Sequence, residues 1–382
     1  MTKCKKIIFL VTEDWYFLSH RLPIALAAKE SGHEVVVLTR INTHKFNIEK
    51  YGFTVIPLKI KRESRNLFLE LEAIFQIIKI YLKEKPDLTH HVAVKPILYG
   101  SVAAMVTRVP HFVNAIPGLG FAFSRKKGII AGVMQFVFLM AYGLIFRWPG
   151  ARAIFQNSED KALFEDSKIV KKNQSILIRG SGVDVDQYQY LPEPPGIVTI
   201  LFGARMLWDK GVKELVQAVK LLKKKDAAFR VVLAGMPDPA NPQSIPVQVL
   251  ENWHNSGLVT WVGFQKDMPA LITRAHIITL PSYREGVPKF LLEAASCGRP
   301  IVTTNVPGCR EIVKQGENGI LVPPKDPQAL AHGLYRLIKD GKLRKKMGKK
   351  GREMVVQDFS EKNIVNKTME FYKRIWMRVS EK

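Results

Sequence analysis

Two carboxylates, Glu285 and Glu293, are separated by seven residues where an apolar run meets an amphipathic segment. The apolar residues 276–283 predict a buried strand that ends in a loop, and Pro288 suits the first turn of a following helix. Glu285 is then expected in the loop at the carboxyl end of a strand, where ligands bind in open α/β sheets. Glu293 is expected about a turn and a half inside the helix. Carboxylates placed in this way can accept hydrogen bonds from the hydroxyl groups of a sugar.

The residues between the two acids are suited to a phosphate group. The candidates for donor binding here are Gly286, Val287, Pro288 and Lys289. The first turn of a helix leaves backbone N–H groups without partners, and these groups attract anions. The segment therefore predicts a ligand that carries both hydroxyl groups and phosphate.

Two cations follow a second predicted strand. Residues 199–202 read as a strand, and Arg205 and Lys210 lie in the connection to the next helical segment. Two fixed cations at this position can neutralise a diphosphate leaving group, a task that other transferases give to a divalent metal. No metal is then required. We assign the Asp-x-Asp pair of Asp184 and Asp186, which follows a glycine-rich run, to a turn.

This pattern resembles a known enzyme family. The Glu-x7-Glu pair, with Gly286 after the first acid, is similar to that of the retaining glycosyltransferases of the GT-B fold, family 4, also called glycosyl transferases group 1. The resemblance implies that Glu285 contacts the donor sugar and Glu293 the nucleotide ribose. It also implies that Arg205 and Lys210 contact the donor phosphates, and that the enzyme uses no cofactor and no metal.

Residues of the first half are expected to bind the acceptor. The candidates follow successive predicted strands: His20, His90, His91, Lys95, Gly118 and Gly120. Their surroundings resemble the subgroup of family 4 that extends sugars on polyprenyl diphosphates for O-antigens, capsules or protein N-glycans. The two glycines would let the backbone approach an acceptor diphosphate, while Lys95 and Arg125 would supply charge.

The first half departs from the family in two places. Many members carry His-x-His where this chain has the adjacent His90 and His91. Neighbouring residues of a strand point to opposite faces, so which imidazole reaches the substrate stays open. The loop at residues 13–16 lacks a glycine, which leaves its contact with the donor phosphate unassigned.

The length of 382 residues exceeds what one core supports, so two domains are expected. Short apolar runs alternate with amphipathic segments and predict an α/β fold. The predicted strands are 7–11, 34–38, 54–58, 88–92, 111–114, 153–156, 175–178, 199–202, 231–233, 260–262, 277–280 and 301–303. The resemblance implies two Rossmann-like, doubly wound domains that face a cleft.

A proline-rich segment sets the predicted domain boundaries. We predict an acceptor-binding domain at 1–188, a linker at 189–197 and a nucleotide-sugar-binding domain at 198–360. Residues 361–382 form a last helix that, in the family, crosses back to the first domain. Closure about residues 190–196 would exclude water from the reaction.

The chain carries 58 Lys and Arg against 34 Asp and Glu, a formal net charge of +24, which implies a polyanionic partner. Basic residues beside apolar stretches of the first half favour an anionic membrane surface over nucleic acid: Lys59, Lys61, Arg62, Arg65, Arg125, Lys126 and Lys127. The later basic run, 342–352, reads as a solvated helix face. No nucleic-acid-binding signature accompanies it.

Residues 128–146 are almost wholly apolar and about long enough to span a bilayer. A helix packed in the domain or laid on the membrane is favoured over a spanning one, because a span would cut the first sheet in two. Three cysteines without metal-ligand spacing, together with the lack of a signal peptide, favour a reducing compartment. The predicted location is the cytoplasm, peripheral to the inner face of the cytoplasmic membrane.

The sequence thus predicts a retaining transferase that moves an N-acetylhexosamine from a UDP-sugar to a polyprenyl-diphosphate-linked saccharide in bacterial surface or protein glycan assembly. UDP-hexoses and GDP-mannose stay open as donors. Two alternatives are a GT-B sugar-nucleotide epimerase, which needs no acceptor, and a non-catalytic basic protein that binds nucleic acid or lipid.

Overall fold

The computed structural model describes residues 4–60, 66–118, 129–225 and 227–377. The chain divides into two units. The first contains the residues up to Ser181 together with those from Ile364 onward, and the second is Gly182–Asn363. Each unit is built around one parallel sheet.

The first unit holds a seven-stranded sheet in the order β3-β2-β1-β4-β5-β6-β7. Its strands are β1 (Lys6–Glu13), β2 (Glu34–Arg40), β3 (Thr54–Pro57), β4 (Leu88–Val92), β5 (His111–Ile116), β6 (Ala151–Phe155) and β7 (Ser175–Leu177). The order reverses direction between β1 and β4, which pair from Ile7 with Leu88 onward. A crevice for a ligand is expected at the carboxyl ends of these two strands.

Helices connect the strands of the first unit and cover both faces of its sheet. They are α1 (Asp14–His20), α2 (Leu22–Glu30), α3 (Lys45–Glu49), α4 (Leu67–Glu84), α5 (Val94–Val106), α6 (Ile129–Phe146) and α7 (Ser158–Asp166). Alternate strand residues enter two separate cores, so that Ile7 and Phe9 pack on one face and Ile8 and Leu10 on the other. Burial on both faces explains why these strands read as continuous apolar runs.

The second unit repeats the design with six strands in the order β10-β9-β8-β11-β12-β13. They are β8 (Val198–Gly203), β9 (Phe229–Ala234), β10 (Thr260–Trp261), β11 (Ile277–Leu280), β12 (Ile301–Thr304) and β13 (Gly319–Val322). Its helices, followed by the last helix of the chain, are α8 (Val212–Leu222), α9 (Val247–Asn255), α10 (Met268–Thr273), α11 (Lys289–Ser296), α12 (Pro307–Ile312), α13 (Pro327–Lys339), α14 (Gly341–Met354) and α15 (Glu361–Met377). The order reverses between β8 and β11, where Ile200 pairs with Ile277.

The predicted α/β class with two doubly wound sheets is confirmed. Every predicted strand is present within a few residues, while β13 was not predicted. The last helix, α15, buries Ile364, Phe371, Tyr372 and Ile375 in a core of the first unit.

The predicted linker is not a free connection. The buried guanidinium of Arg299 donates hydrogen bonds to the carbonyls of Leu191 at 2.8 Å and Pro192 at 3.2 Å, and to those of Thr273 at 2.7 Å and Ile272 at 3.4 Å. The proline-rich segment is therefore bound to the second unit. Closure about residues 190–196 stays a prediction.

A second arginine, Arg344, holds the same segment, and Arg352 holds the residues just before it. Arg344 forms a two-pronged ion pair with Glu193, with distances of 2.9 and 2.5 Å. Arg352 donates to the carbonyls of Val185 at 3.0 Å and Tyr188 at 2.9 Å. These two arginines were predicted on a solvated face. They instead point inward, and it is the lysines of α14 that are exposed.

The apolar segment at 128–146 forms α6, which buries Tyr142, Ile145 and Phe146 and exposes Phe136 and Met140. Among the residues that the structure describes, no helix has the length and apolarity to cross a membrane. The predicted basic residues Lys61, Arg62, Arg65, Arg125, Lys126 and Lys127 lie outside the described part of the chain.

Candidate active site

The structure brings Lys210 and Glu285 together at the reversal point of the second sheet. Lys210 follows β8 and Glu285 follows β11, and the ammonium Nζ lies 2.6 Å from the carboxylate Oε1. The side chains are 19% and 11% exposed, so solvent reaches both. Because neighbouring parallel strands end at the same edge, the topology itself produces this pair.

Two glycines allow the loops to approach closely. Gly211 has φ +75°, and a Cβ there would lie 2.0 Å from the carbonyl oxygen of Pro281. At Gly308, in the first turn of α12, a Cβ would lie 1.6 Å from the carbonyl oxygen of Gly286. Any larger residue at either position would push the loop that carries Glu285 out of place.

Neighbouring groups fix the orientation of Glu285. The Ser282 hydroxyl donates to its Oε1 at 2.6 Å. Tyr283 ties the loop to α8, since its hydroxyl donates to Glu214 at 2.7 Å and its backbone N–H to the Asp209 carbonyl at 2.9 Å. Burial, followed by the hydrogen bond to Glu214 and the charge of that carboxylate, raises the pKa of Tyr283, which stays a neutral donor.

The sequence reasoning missed Tyr283 and Glu214. The available signal was a single carboxylate on the apolar face of α8, where Val212, Leu215 and Val219 enter the core. A buried acid on such a face requires a hydrogen-bonding partner.

Glu293 lies deeper in the same unit. The helix α11 begins at Lys289, after Pro288, and Glu293 is its fifth residue with 9% exposure. Burial raises the pKa of Glu293, although the nearby Lys289 charge and the Tyr188 hydrogen bond act in the opposite direction. A ligand hydroxyl that reached this carboxylate would meet a desolvated acceptor.

The raised pKa leads to a prediction for Glu293→Gln. A carboxyl group whose pKa is higher in the folded than in the unfolded state stabilises the folded protein. The full contribution is present when the pH is below the ordinary pKa of 4.5. This stability is lost as pH rises through the folded pKa. At pH 8 the unliganded variant should therefore be about 1 kcal/mol more stable than the wild type, because a buried charge is gone.

Urea unfolding at pH 5 and pH 8 checks this prediction. The stability gain of Glu293→Gln should grow with pH, while the matched variant at the exposed Glu251 should show none. A gain that shrinks as pH rises would mean that Glu293 is stabilised as a carboxylate.

Arg205 has a different partner from Lys210. Its guanidinium is exposed and forms an ion pair with Asp238, in the loop after β9. The backbone beside it is tightly packed, since a Cβ at Gly235 would lie 1.9 Å from the Ala204 carbonyl oxygen. Arg205 therefore lies at the same edge of the sheet as Lys210 but is held by a separate carboxylate. The sequence reasoning did not identify Asp238.

His90 and His91 both lie in the interior of the first unit, and a contact of either imidazole with the substrate stays a prediction. His90 is bonded to the Tyr372 hydroxyl on one face of β4. On the other face, His91 Nδ1 lies 2.8 Å from Asn114 and Nε2 lies 3.1 Å from the Tyr81 hydroxyl. Burial lowers the pKa of His91 to about 4, so this imidazole is neutral. The alternation of the strand was predicted, but burial on both sides was not.

Among the other acceptor candidates, two have partners close by. Lys95 is paired with Glu70 of α4 at 2.7 Å. His20 stacks on Tyr16 with ring centroids 4.2 Å apart. Gly118 has φ +146°, which suits glycine, and Gly120 and Arg125 lie outside the described residues.

The Asp184 carboxylate caps a turn, as it accepts from the backbone N–H groups of Asp186 at 2.9 Å and Gln187 at 3.0 Å. Across the described ranges, no group of three His, Cys, Asp or Glu side chains is arranged to hold a metal ion.

Comparison with known families covers both units. The model for "Glycosyl transferases group 1" matches residues 187–354, and the model for "Glycosyl transferase 4-like" matches residues 6–158. The first match contains the pair of Lys210 and Glu285, and the second contains His20 and His90.

Two curated relatives match most of the chain. The N,N'-diacetylbacillosaminyl-diphospho-undecaprenol alpha-1,3-N-acetylgalactosaminyltransferase of Campylobacter jejuni is 29% identical, over 94% of this chain and 98% of the relative. The UDP-Gal:alpha-D-GlcNAc-diphosphoundecaprenol alpha-1,3-galactosyltransferase of Escherichia coli is 23% identical, over 80% of each chain.

A solved structure supports the fold independently. The crystal structure of a glycosyltransferase from Rickettsia africae superposes with a TM-score of 0.78 at 21% identity, covering 98% of this chain and 99% of that one. With family matches on both units and the doubly wound sheets they share, the chain belongs to the group 1, family 4-like glycosyltransferases of the GT-B fold.

Proposed function

We propose that this protein transfers a sugar from a UDP-sugar to a saccharide linked to a polyprenyl diphosphate, with retention of the anomeric configuration. The observation that carries the proposal is the pair of Lys210 and Glu285 at the reversal point of the second sheet, 2.6 Å apart. One cation for phosphate and one carboxylate for hydroxyl groups are what a nucleotide sugar requires. The names of the C. jejuni and E. coli relatives support the lipid-linked acceptor.

The proposed reaction proceeds by positioning and charge stabilisation. The bond between the anomeric carbon and the β-phosphate oxygen breaks, and the acceptor oxygen bonds to that carbon on the same face. The acceptor proton passes to an oxygen of the leaving phosphate. Lys210 and Arg205 stabilise the charge that develops on the diphosphate, so no metal and no other cofactor is needed.

The two glutamates hold the donor at its ends. Glu285 accepts hydrogen bonds from the hydroxyl groups of the sugar and is held in place by Ser282. Glu293 accepts from the ribose hydroxyls. The N–H groups at the start of α11, near Gly286 to Lys289, receive phosphate oxygens.

The proposed donor is a UDP-N-acetylhexosamine. The C. jejuni relative, which aligns with nearly the whole chain, is named an N-acetylgalactosaminyltransferase, whereas the E. coli relative is named for UDP-Gal. Both names fit a galacto-configured sugar. The choice between a hydroxyl and an acetamido group at carbon 2 is therefore the main question for a donor screen.

We also propose a peripheral location at the inner face of the cytoplasmic membrane. Large apolar side chains are exposed on two helices of the first unit: Phe68, Leu71 and Phe75 on α4, and Phe136, Val137 and Met140 on α6. Phe68 is 82% and Phe136 is 62% exposed. With a net charge of +24, such a surface suits anionic lipid.

A donor screen tests the function. Purified protein is mixed with each UDP- and GDP-sugar, and thermal stabilisation and transfer to a synthetic polyprenyl-diphosphate-linked GlcNAc in anionic vesicles are measured. We expect one UDP-N-acetylhexosamine to stabilise the wild type but not Glu293→Gln, and the product linkage to keep the donor's configuration by NMR.

Three results would contradict parts of the proposal. A stereochemical change of the UDP-sugar without any acceptor would indicate an epimerase. Stabilisation by RNA and by no nucleotide sugar would indicate a charge-driven binding protein. Transfer that proceeds equally in detergent, without sedimentation on anionic vesicles, would exclude the membrane contact.

A further inference from the structure

Arg21 is a buried cation in the first unit that has no carboxylate partner among the described residues. It lies between α1 and α2, and only 3% of the residue is exposed. Its Nη1 donates weakly to the His20 carbonyl at 3.4 Å, and its Nε is buried without an acceptor. A guanidinium removed from water without a counter-charge is costly, so this residue calls for an explanation other than packing.

The groups around Arg21 are neutral. Burial, and then the charge of Arg21, lowers the pKa of His90 well below its ordinary value, while burial raises the pKa of Tyr16 and of Tyr372. None of these side chains can therefore supply the missing negative charge.

A second buried donor accompanies Arg21. The Tyr372 hydroxyl is bonded to His90 Nδ1, and His90 Nε2 is buried without a partner. With the Tyr372 hydroxyl as the donor of that bond, the proton of the imidazole is on Nε2. The Nε–H of Arg21, which is charged, and the Nε2–H of His90 then both lack acceptors. A bound anion would provide the negative charge and the acceptor oxygens that these two groups need.

The position of Arg21 favours a ligand. The order of the first sheet reverses between β1 and β4; Arg21 follows β1, and His90 lies on β4. Helix α5 begins at this edge after Ala93, whose φ of 76° and ψ of 168° are nearly restricted to glycine. The free N–H groups of a helix start add to the positive potential that Arg21 creates.

We infer that Arg21 binds the diphosphate of the lipid-linked acceptor at the carboxyl edge between β1 and β4. The inference rests on the proposed function. We assign Arg21 to the diphosphate of the acceptor because the diphosphate of the donor has its own cations, Arg205 and Lys210, in the second unit. The planar guanidinium can grip phosphate oxygens with two parallel hydrogen bonds, which an ammonium group cannot do.

The test compares Arg21→Met and Arg21→Lys with the control variant Arg108→Met. Arg108 is exposed and lies between α5 and β5, at the opposite edge of the sheet, so the control removes the same charge from a distant position. The probes are farnesyl diphosphate, as a short polyprenyl diphosphate, and UDP. We expect Arg21→Met to weaken farnesyl diphosphate binding by about tenfold or more, with UDP binding unchanged. The KM for the lipid-linked acceptor should rise by the same factor while kcat stays within about threefold.

The variants also separate binding from folding. Arg21→Lys keeps the positive charge and should fold even if Arg21→Met does not. Because lysine cannot form the two parallel hydrogen bonds of a guanidinium, this variant should bind farnesyl diphosphate less tightly than the wild type. Wild-type affinity for farnesyl diphosphate in either folded variant would overturn the assignment, as would an equal loss of UDP binding. If the wild type bound no UDP-sugar at all, the proposed function would fail first, whatever Arg21 does.

Discussion

Lys210→Met should lower kcat/KM for sugar transfer by about 1000-fold. The ammonium group lies beside Glu285 in the connection after β8, and its side chain is 19% exposed. In the proposed reaction it can contact Glu285 and a phosphate oxygen of the donor at the same time. The charge on the diphosphate grows as the anomeric bond breaks, and a fixed cation stabilises that state more than the bound substrate. The loss should therefore appear mainly in kcat, and the affinity for UDP should change much less.

The control is Lys213→Met, on the exposed side of α8 three residues later. It removes the same charge from the first turn of α8, close in sequence to Lys210, and should retain wild-type rates. Thermal unfolding is recorded for both, because Glu285 loses its counter-charge in Lys210→Met and keeps only the Ser282 hydrogen bond. A loss of less than about tenfold in a folded Lys210→Met would remove Lys210 from the catalytic role.

Arg299→Met should destabilise the second unit by about 3–5 kcal/mol. The guanidinium is 3% exposed and donates to four backbone carbonyls, those of Leu191, Pro192, Ile272 and Thr273. Because little solvent reaches the group, burial lowers the pKa of Arg299. Methionine fills part of the space but supplies none of these hydrogen bonds, whereas the Ile272 carbonyl keeps the Ala275 N–H as a donor.

Thermal unfolding followed by tryptophan fluorescence measures this loss. Arg336→Met, an exposed arginine in the last turn of α13, removes the same charge and should cost less than about 1 kcal/mol. If both variants unfolded at the wild-type temperature, the hydrogen bonds of Arg299 would contribute nothing to stability.

The fold was largely predictable because buried parallel strands leave a strong local signal. Runs such as residues 277–280 are buried throughout, with Thr279 as the one polar residue, and are followed by the turn residues Pro281 and Ser282. The strand β13, Gly319–Val322, was not predicted because it begins with a glycine, a residue that is unfavourable in strands and here is close to the Ile301 carbonyl. A short edge strand is defined by its neighbour β12 more than by its own residues.

The candidate site was predictable where topology alone brings residues together. Lys210 and Glu285 follow strands that become neighbours at the reversal point, so their meeting follows from the strand order. The partners Tyr283–Glu214 and Arg205–Asp238 were not found, because each depends on side-chain directions across 33 or 69 residues of sequence. Long-range polar pairs leave no periodic pattern in a single sequence.

Basic clusters were the least predictable feature. The run at 342–352 looks uniform in sequence, yet Arg344 binds Glu193 of the proline-rich segment and Arg352 binds the backbone just before that segment, while the lysines remain in water. Guanidinium groups can satisfy several carbonyls at once, whereas a buried ammonium is harder to satisfy. The difference between arginine and lysine was available in the sequence and was not used.

The arginines that hold the proline-rich segment determine where the chain can be divided. A fragment that starts at residue 198, after the prolines, would separate Arg344 from Glu193 and deprive Arg299 of the Leu191 and Pro192 carbonyls. Both guanidinium groups would then be buried with too few acceptors, and the isolated piece would be a poor folding unit. A fragment spanning Gly182–Asn363 retains all of these partners, so the shortest autonomous form of the second unit includes the segment that its sequence marks as a linker.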